Sequence, residues 1–322
     1  MQSALNAPHL WNEEAAIVYV ESRLWPDGPI CPHCGTIDQA TRLKGKTTRP
    51  GLWKCRVKEC RKPFTVRMRT IFESSHVPMH IWLQAIYLMC SGKKGIATRQ
   101  LHRTFGGSLK TVWFLGHRIR EAMTVLKVEE TDPMGGGQLG GENEVVEADE
   151  TFIGGKARNR KGKIPPKMPV LSLVERDGRV RSFRVPNVTA ETLKPIITAN
   201  VNKASYLMTD DAPVYWPIVD EFSGHGTVNH SAEEYVRGVF WHTNTVENFF
   251  SIFKRGIYGC YFHVSETHLH RYAAEFDFRY NNRIALGVDD LERTDRAIVG
   301  AKGKRLTYRT TSLTRHETPS SG

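Results

Sequence analysis

The run Val246-Glu247-Asn248-Phe249-Phe250-Ser251-Ile252-Phe253-Lys254-Arg255-Gly256 sets an acid and a lysine seven residues apart in a segment with helical spacing of apolar residues. Seven residues are about two turns, so Glu247 and Lys254 leave the same face. Two strand-like runs upstream also deliver acids. Residues 145–153 carry Glu147, Asp149 and Glu150, and residues 206–211 end in Asp210 and Asp211. Carboxylates converging from three segments beside a cation suit hard divalent metals and a phosphodiester. That is nucleic-acid chemistry.

Each acid also has a plainer explanation. Asp149 could sit on a wet edge strand, and Glu147 or Glu150 could take its place as ligand. Asp210 could cap a following helix, with Asp211 as its rival. Asn244-Thr245-Val246-Glu247 fits a capping box, with Glu247 serving only its own helix. Whether the acids can converge depends on the elements that carry them. Residues 144–153 read as a strand, and 170–175 with 179–185 as a hairpin around Asp177-Gly178. Residues 189–202 read as a helix, 205–209 as a strand, 213–222 as a helix and 227–230 as a short strand. Two helices follow, the first bearing Glu247 and the second striped by Leu269, Tyr272, Ala273, Phe276 and Tyr280. This order of strand-acid, hairpin, helix, strand-acid, helix, strand and helix-acid is that of a ribonuclease H-like α/β domain. Asp149 and Asp210 stand 61 positions apart, and Asp210 and Glu247 stand 37 apart, enough for those elements and little more.

Nearer the N-terminus, residues 13–21 form a short helical pattern that Asn12 can cap. Cys31-Pro32-His33-Cys34 and Cys55-Arg56-Val57-Lys58-Glu59-Cys60 are paired knuckles about 20 residues apart, the pattern of a four-thiolate zinc ribbon. Cys31, Cys34, Cys55 and Cys60 are the expected Zn2+ ligands; His33 is a bystander, and Cys90 and Cys260 pack. Beyond the ribbon, residues 81–89 read as a buried helix. Residues 96–105 and 109–123 read as two helices around Gly106-Gly107, matching a helix-turn-helix whose polar face holds Lys110, His117, Arg118 and Arg120. The Gly-rich stretch 131–142 reads as a linker. The expected division is 1–72 for the N-terminal helix and ribbon, 73–130 for the helical region, 131–142 for the linker, 143–290 for the catalytic domain and 291–322 for a disordered basic tail.

The 322 residues carry 45 Lys and Arg against 34 Asp and Glu, a formal charge of +11. Such a surplus favours a polyanionic partner. Much of it is concentrated: between Arg42 and Arg69 only Glu59 opposes nine further cations, and a second basic run follows Lys156. No apolar run approaches the roughly 20 residues that span a bilayer, and no signal peptide is expected, which places the protein in the cytoplasm. Six cysteines in such a chain favour a metal over disulfides.

Together these motifs make the chain resemble bacterial insertion-sequence transposases of the DDE class, the IS1595 family with an ISXO2-like transposase domain. The resemblance rests on Cys31-Pro32-His33-Cys34-Gly35, Asp149-Glu150-Thr151-Phe152-Ile153-Gly154-Gly155-Lys156, Thr209-Asp210, and His242-Thr243-Asn244-Thr245-Val246-Glu247 running to Lys254-Arg255-Gly256. His268-Leu269 through Arg279-Tyr280-Asn281 extends it. It implies that Asp149, Asp210 and Glu247 hold two Mg2+ ions, replaceable by Mn2+, for 3′-end cleavage and strand transfer. Lys254 and Arg255 would contact phosphate, and Lys156, Arg158 and Arg160 would form a backbone-binding arm. The ribbon and helix-turn-helix would bind the terminal inverted repeats of double-stranded DNA, with Lys110, Trp113 and His117 as contacts. Two ends must be joined, so a homodimer or larger assembly is expected. The rival readings are a ribonuclease H-like nuclease or resolvase without transposition, and a zinc-ribbon DNA-binding regulator.

Overall fold

The computed structural model describes residues 4–124, 137–154, 167–228 and 242–307. Helix α1 (Glu13–Leu24) begins where Asn12 accepts the Ala15 N–H at 2.9 Å. The small antiparallel sheet β1 (Ala40–Arg42), β2 (Trp53–Cys55) and β3 (Pro63–Phe64) follows in that order. Then come α2 (Met79–Ser91), α3 (Thr98–Phe105) and α4 (Leu109–Ala122). Gly106 and Gly107, at φ +70° and +74°, make the α3–α4 turn that a side chain would strain, and Ser108 caps α4 through the Thr111 N–H at 3.1 Å.

The chain does not trail off after Arg283. Helix α9 (Asp290–Val299) is capped by Asp289 and buries Ala297 and Ile298, with Ala301 beyond it, in one core with α1, α2 and α4. Gly303 donates to the Arg69 carbonyl at 2.9 Å, and Lys304 donates to the Ala122 carbonyl at 3.0 Å. The expectation of a disordered tail over 291–322 is thus corrected for 291–307. Those few apolar residues gain a place to pack only once the N-terminal helices have assembled. The remainder of that span lies outside the described residues.

The larger sheet contains β4 (Val145–Gly154), β5 (Lys167–Glu175), β6 (Val180–Arg184), β7 (Tyr206–Asp210) and β8 (Gly224–Val228), ordered β6-β5-β4-β7-β8. The three strands β6, β5 and β4 are antiparallel, while β4, β7 and β8 run parallel, with β4 central. Apolar side chains of α5 (Ala190–Asn200) and α6 (Trp216–Val219) share a core with Val146, Ala148, Leu171 and Leu173. Those of α7 (Asn244–Gly256) and α8 (Leu269–Asn281) share another with Ile153, Val170 and Val174. The domain is a mixed sheet between two helical layers. Its sequence reading needs three local corrections. Residues 213–222 form a 3-10 turn, Pro213–Tyr215, and then the short α6; β8 starts earlier, at Gly224; and Leu139, within the expected linker, is buried and exchanges hydrogen bonds with Asn200 and Asn202.

A buried ionic cluster joins the two halves. Arg120 on α4 meets Glu275 on α8 at 2.6 Å, Arg279 pairs with the same carboxylate, and the Tyr261 hydroxyl donates to it at 2.6 Å. The two guanidinium groups hold Glu275 down at about 2 despite complete burial.

Candidate active site and zinc centre

The four thiols of Cys31, Cys34, Cys55 and Cys60 lie within 4.8 Å of one another. Cys31 and Cys60 approach to 3.7 Å, as do Cys34 and Cys55. Zinc with bonds of about 2.3 Å would set its sulfurs about 3.8 Å apart, so the observed spacing fits that ion. A contact to the Thr36 hydroxyl brings Cys34 down to about 6, towards the thiolate a metal requires. His33 faces the Pro63 carbonyl at 3.3 Å, outside this group. Cys90 is fully buried in the helical core.

The pleat of β4 settles which neighbouring acids share a face. Alternation sends Glu147, Asp149, Thr151 and Ile153 towards α7 and α8, and Val146, Ala148 and Glu150 towards α5 and α6. Glu150 accepts there from the buried Tyr215 hydroxyl at 2.6 Å. In β7, pairing of Glu147 with Met208 puts Asp210 on the same face as Asp149. Asp211 falls beyond the strand end. Asp149 Oδ1 accepts the Glu150 N–H at 2.7 Å, and Asp210 Oδ1 accepts the Ala212 N–H at 3.1 Å.

Glu247 completes the group electrostatically. Burial pushes Asp149 up to about 8, and the charges acting most strongly on it are all acidic: Glu150, Asp210 and Glu247. Asp210 also raises Glu150, whose largest perturbation is burial. Acids from β4, β7 and α7 thus act on one another, as their types had suggested. Among the described residues, the four thiols are the group whose ligand atoms all lie within 4.8 Å of one another. Glu247 is exposed on α7, and Lys254 and Arg255 are exposed two turns on.

The capping box does not form in the register expected, although Glu247 still accepts from the Thr243 hydroxyl at 3.5 Å. The helix starts one residue earlier, with Thr243 at the N-cap and no cap bond from its side chain. Its first amides are instead capped from β4: Glu147 accepts the N–H groups of Thr245 and Val246, both at 2.9 Å.

Residues 138–281 match the ISXO2-like transposase domain, and residues 11–63 match the transposase zinc-ribbon domain. The chain belongs to the IS1595 family of insertion-sequence transposases. Among curated proteins none matches it. The ribbon match contains all four cysteines, so the thiol cluster is a structural zinc site. The transposase match contains Asp149, Asp210, Glu247, Lys254 and Arg255 but neither α4 nor α9. No described helix of this transposase is long and apolar enough to cross a membrane.

The expected DNA contacts fare unevenly. Lys110 lies exposed on the first turn of α4. His117 is corrected: at 1% exposure it packs against Trp113, His268 and Tyr272, and burial beside Arg120 drives it down to about 2, leaving it neutral. Trp113 is half-buried in the same aromatic group. Arg118 and Arg120 are buried as well. The polar stripe on α4 reads as a surface because its ionic partner, Glu275, lies more than 150 positions away. Lys156, Arg158 and Arg160 lie outside the described residues. Sequence reasoning missed Tyr215, Arg176 and the part-buried Asp277, which accepts from the Ser182 N–H and hydroxyl, both at 2.7 Å. A lone Tyr or Arg carries no periodic signal, and Asp277 reads as one more polar residue of an amphipathic helix.

Proposed function

We propose that this transposase binds the terminal inverted repeats of its element and performs 3′-end cleavage and strand transfer, with Asp149, Asp210 and Glu247 holding two Mg2+ ions. The observation that carries the reading is Asp149. Its carboxyl is pushed up to about 8 in a site where acids from three elements crowd together. Such a site is stabilised by divalent cations, and oxygen ligands suit Mg2+ or Mn2+. When bound, Mg2+ supplies an activated oxygen nucleophile and neutralises charge at the scissile phosphate.

The protein's own groups do the positioning. Asp149 and Asp210 present carboxylates from adjacent central strands, each with one oxygen fixed by a backbone N–H. Glu247 closes the group from α7, and Lys254, on the same exposed face, neutralises a neighbouring phosphate. Glu150, held by Tyr215 on the other side of the sheet, adds negative field without ligating. The strand order with α7 across the centre supports a ribonuclease H-like domain. Helices α3 and α4 act as a helix-turn-helix whose exposed edge includes Arg99, Arg103 and Lys110. Arg255 and the arm bearing Lys156, Arg158 and Arg160 track the DNA backbone. Two copies or more would hold the two ends.

The test is incubation of the full chain with its own flanking DNA ends, with and without Mg2+, read on a gel. Mg2+-dependent 3′ nicking and joining is expected, lost in Asp149→Ala and Asp210→Ala while DNA binding survives. Cutting without joining would favour the nuclease, and binding without cutting the regulator.

A further inference from the structure

We infer that Glu147 is a positioning residue that sets α7, and so Glu247, against β4; the inference rests on the metal-site reading above. The Glu147 side chain is fully buried two residues before Asp149 on the same strand face. Its Oε1 accepts from Arg176 Nε at 2.8 Å and from the Thr245 hydroxyl at 2.9 Å. Its Oε2 accepts the Thr245 and Val246 N–H groups, both at 2.9 Å. Arg176 also donates to the His242 carbonyl at 2.8 Å, tying down the approach to the helix. One carboxylate therefore bridges the strand bearing Asp149 and the first turn of the helix bearing Glu247, one residue beyond Val246.

Three physical consequences follow. Four donors occupy the acceptor positions of Glu147, and a guanidinium neutralises it, so it has no capacity left for a cation. The carboxylate also lies against the N-terminal amides of α7, the end of a helix that attracts negative charge, so electrostatics and hydrogen bonds pull the helix the same way. Because the donors are backbone amides of the helix itself, the clamp fixes the helix's position and rotation, whereas a cap from Thr243 would fix only local geometry. Groups that orient ligands in this way commonly change metal affinity by roughly 10-fold or more when removed.

Glu147→Gln tests this, since an amide keeps the shape but presents hydrogen atoms where one oxygen accepted. Mn2+ is titrated into the zinc-loaded full chain and followed by electron paramagnetic resonance, alongside amide exchange of α7. The expected result is a Mn2+ midpoint raised roughly 10-fold, with faster exchange at Thr245 and Val246. Glu147→Gln combined with Glu247→Gln should bind Mn2+ no more weakly than Glu247→Gln alone, because the clamp acts through Glu247. A purely structural residue would weaken binding by the same factor in both backgrounds, and that outcome overturns the inference. So does an unchanged midpoint in Glu147→Gln when Glu247→Gln raises it; the metal reading then stands. If Glu247→Gln leaves the midpoint unmoved, the ligand reading itself falls and takes the inference with it.

Discussion

Side-chain alternation along β4 turned an ambiguous triplet of acids into three separate roles. Glu147 clamps α7, Asp149 faces the carboxylates of Asp210 and Glu247, and Glu150 binds Tyr215 on the far face. The residue types were legible in the sequence, as was the gathering of acids from three separate segments into one neighbourhood. The partner of each acid was not, because Arg176, Tyr215 and Thr245 reach it across the fold rather than along the chain. His117 was misplaced for the same reason: a helix face looks polar until its distant partner is known. Asp277 offers a test at this scale. Burial pushes it up to about 7 even though Ser182 donates to it twice. A carboxyl raised in the folded state contributes stability at low pH and loses it as pH rises through the folded value. Compared with Asp277→Asn, the wild type should lose roughly 1 kcal/mol more between pH 6 and pH 8, measured by urea unfolding at each pH. Parallel pH profiles for the two proteins would contradict the assignment.

At the level of elements, periodicity found α1, α4, α7 and α8 and the strands carrying the acids, because each buries an apolar face. It failed at α6, too short for a period, and at α9, where polar Arg293 and Thr294 share the buried face with Ala297 and Ile298. Helix α7 packs against α8 with unusual closeness at Gly256, where an added Cβ would meet Phe276 Cζ at 2.1 Å and the Lys94 carbonyl at 3.0 Å. Gly256→Ala should therefore cost about 1–3 kcal/mol of stability by thermal melting. A neutral or stabilising result would show that α8 moves aside freely. The ribbon gives a second prediction. Its strands are only two or three residues long, and its core is little more than Cys31, Cys55 and Phe64. Cys55→Ser should abolish zinc retention, measured by atomic absorption, and unfold the ribbon while α7 and α8 keep their amide protection.

On the scale of the whole molecule, both ends of the chain build the helical region, and the Arg120–Glu275 cluster fastens that region to the transposase domain. Charge patterning had suggested a basic tail and an accessible recognition helix; the fold packs α9 and much of α4 into the helical core instead. Glu275→Gln leaves two buried guanidinium groups without their carboxylate and should cost roughly 3–5 kcal/mol. The loss should be read as a lowered melting temperature shared by both halves, whereas separate transitions would show that they fold independently. The proposed activity depends on three carboxylates from β4, β7 and α7 seating paired cations. Its most direct test is the anomalous scattering of Mn2+ in crystals of the full chain bound to one of its own DNA ends. Two manganese peaks are predicted, contacted by Asp149, Asp210 and Glu247. A single well-ordered structure in which manganese avoids these residues, with Glu247 turned away from Asp149 and Asp210, would contradict it.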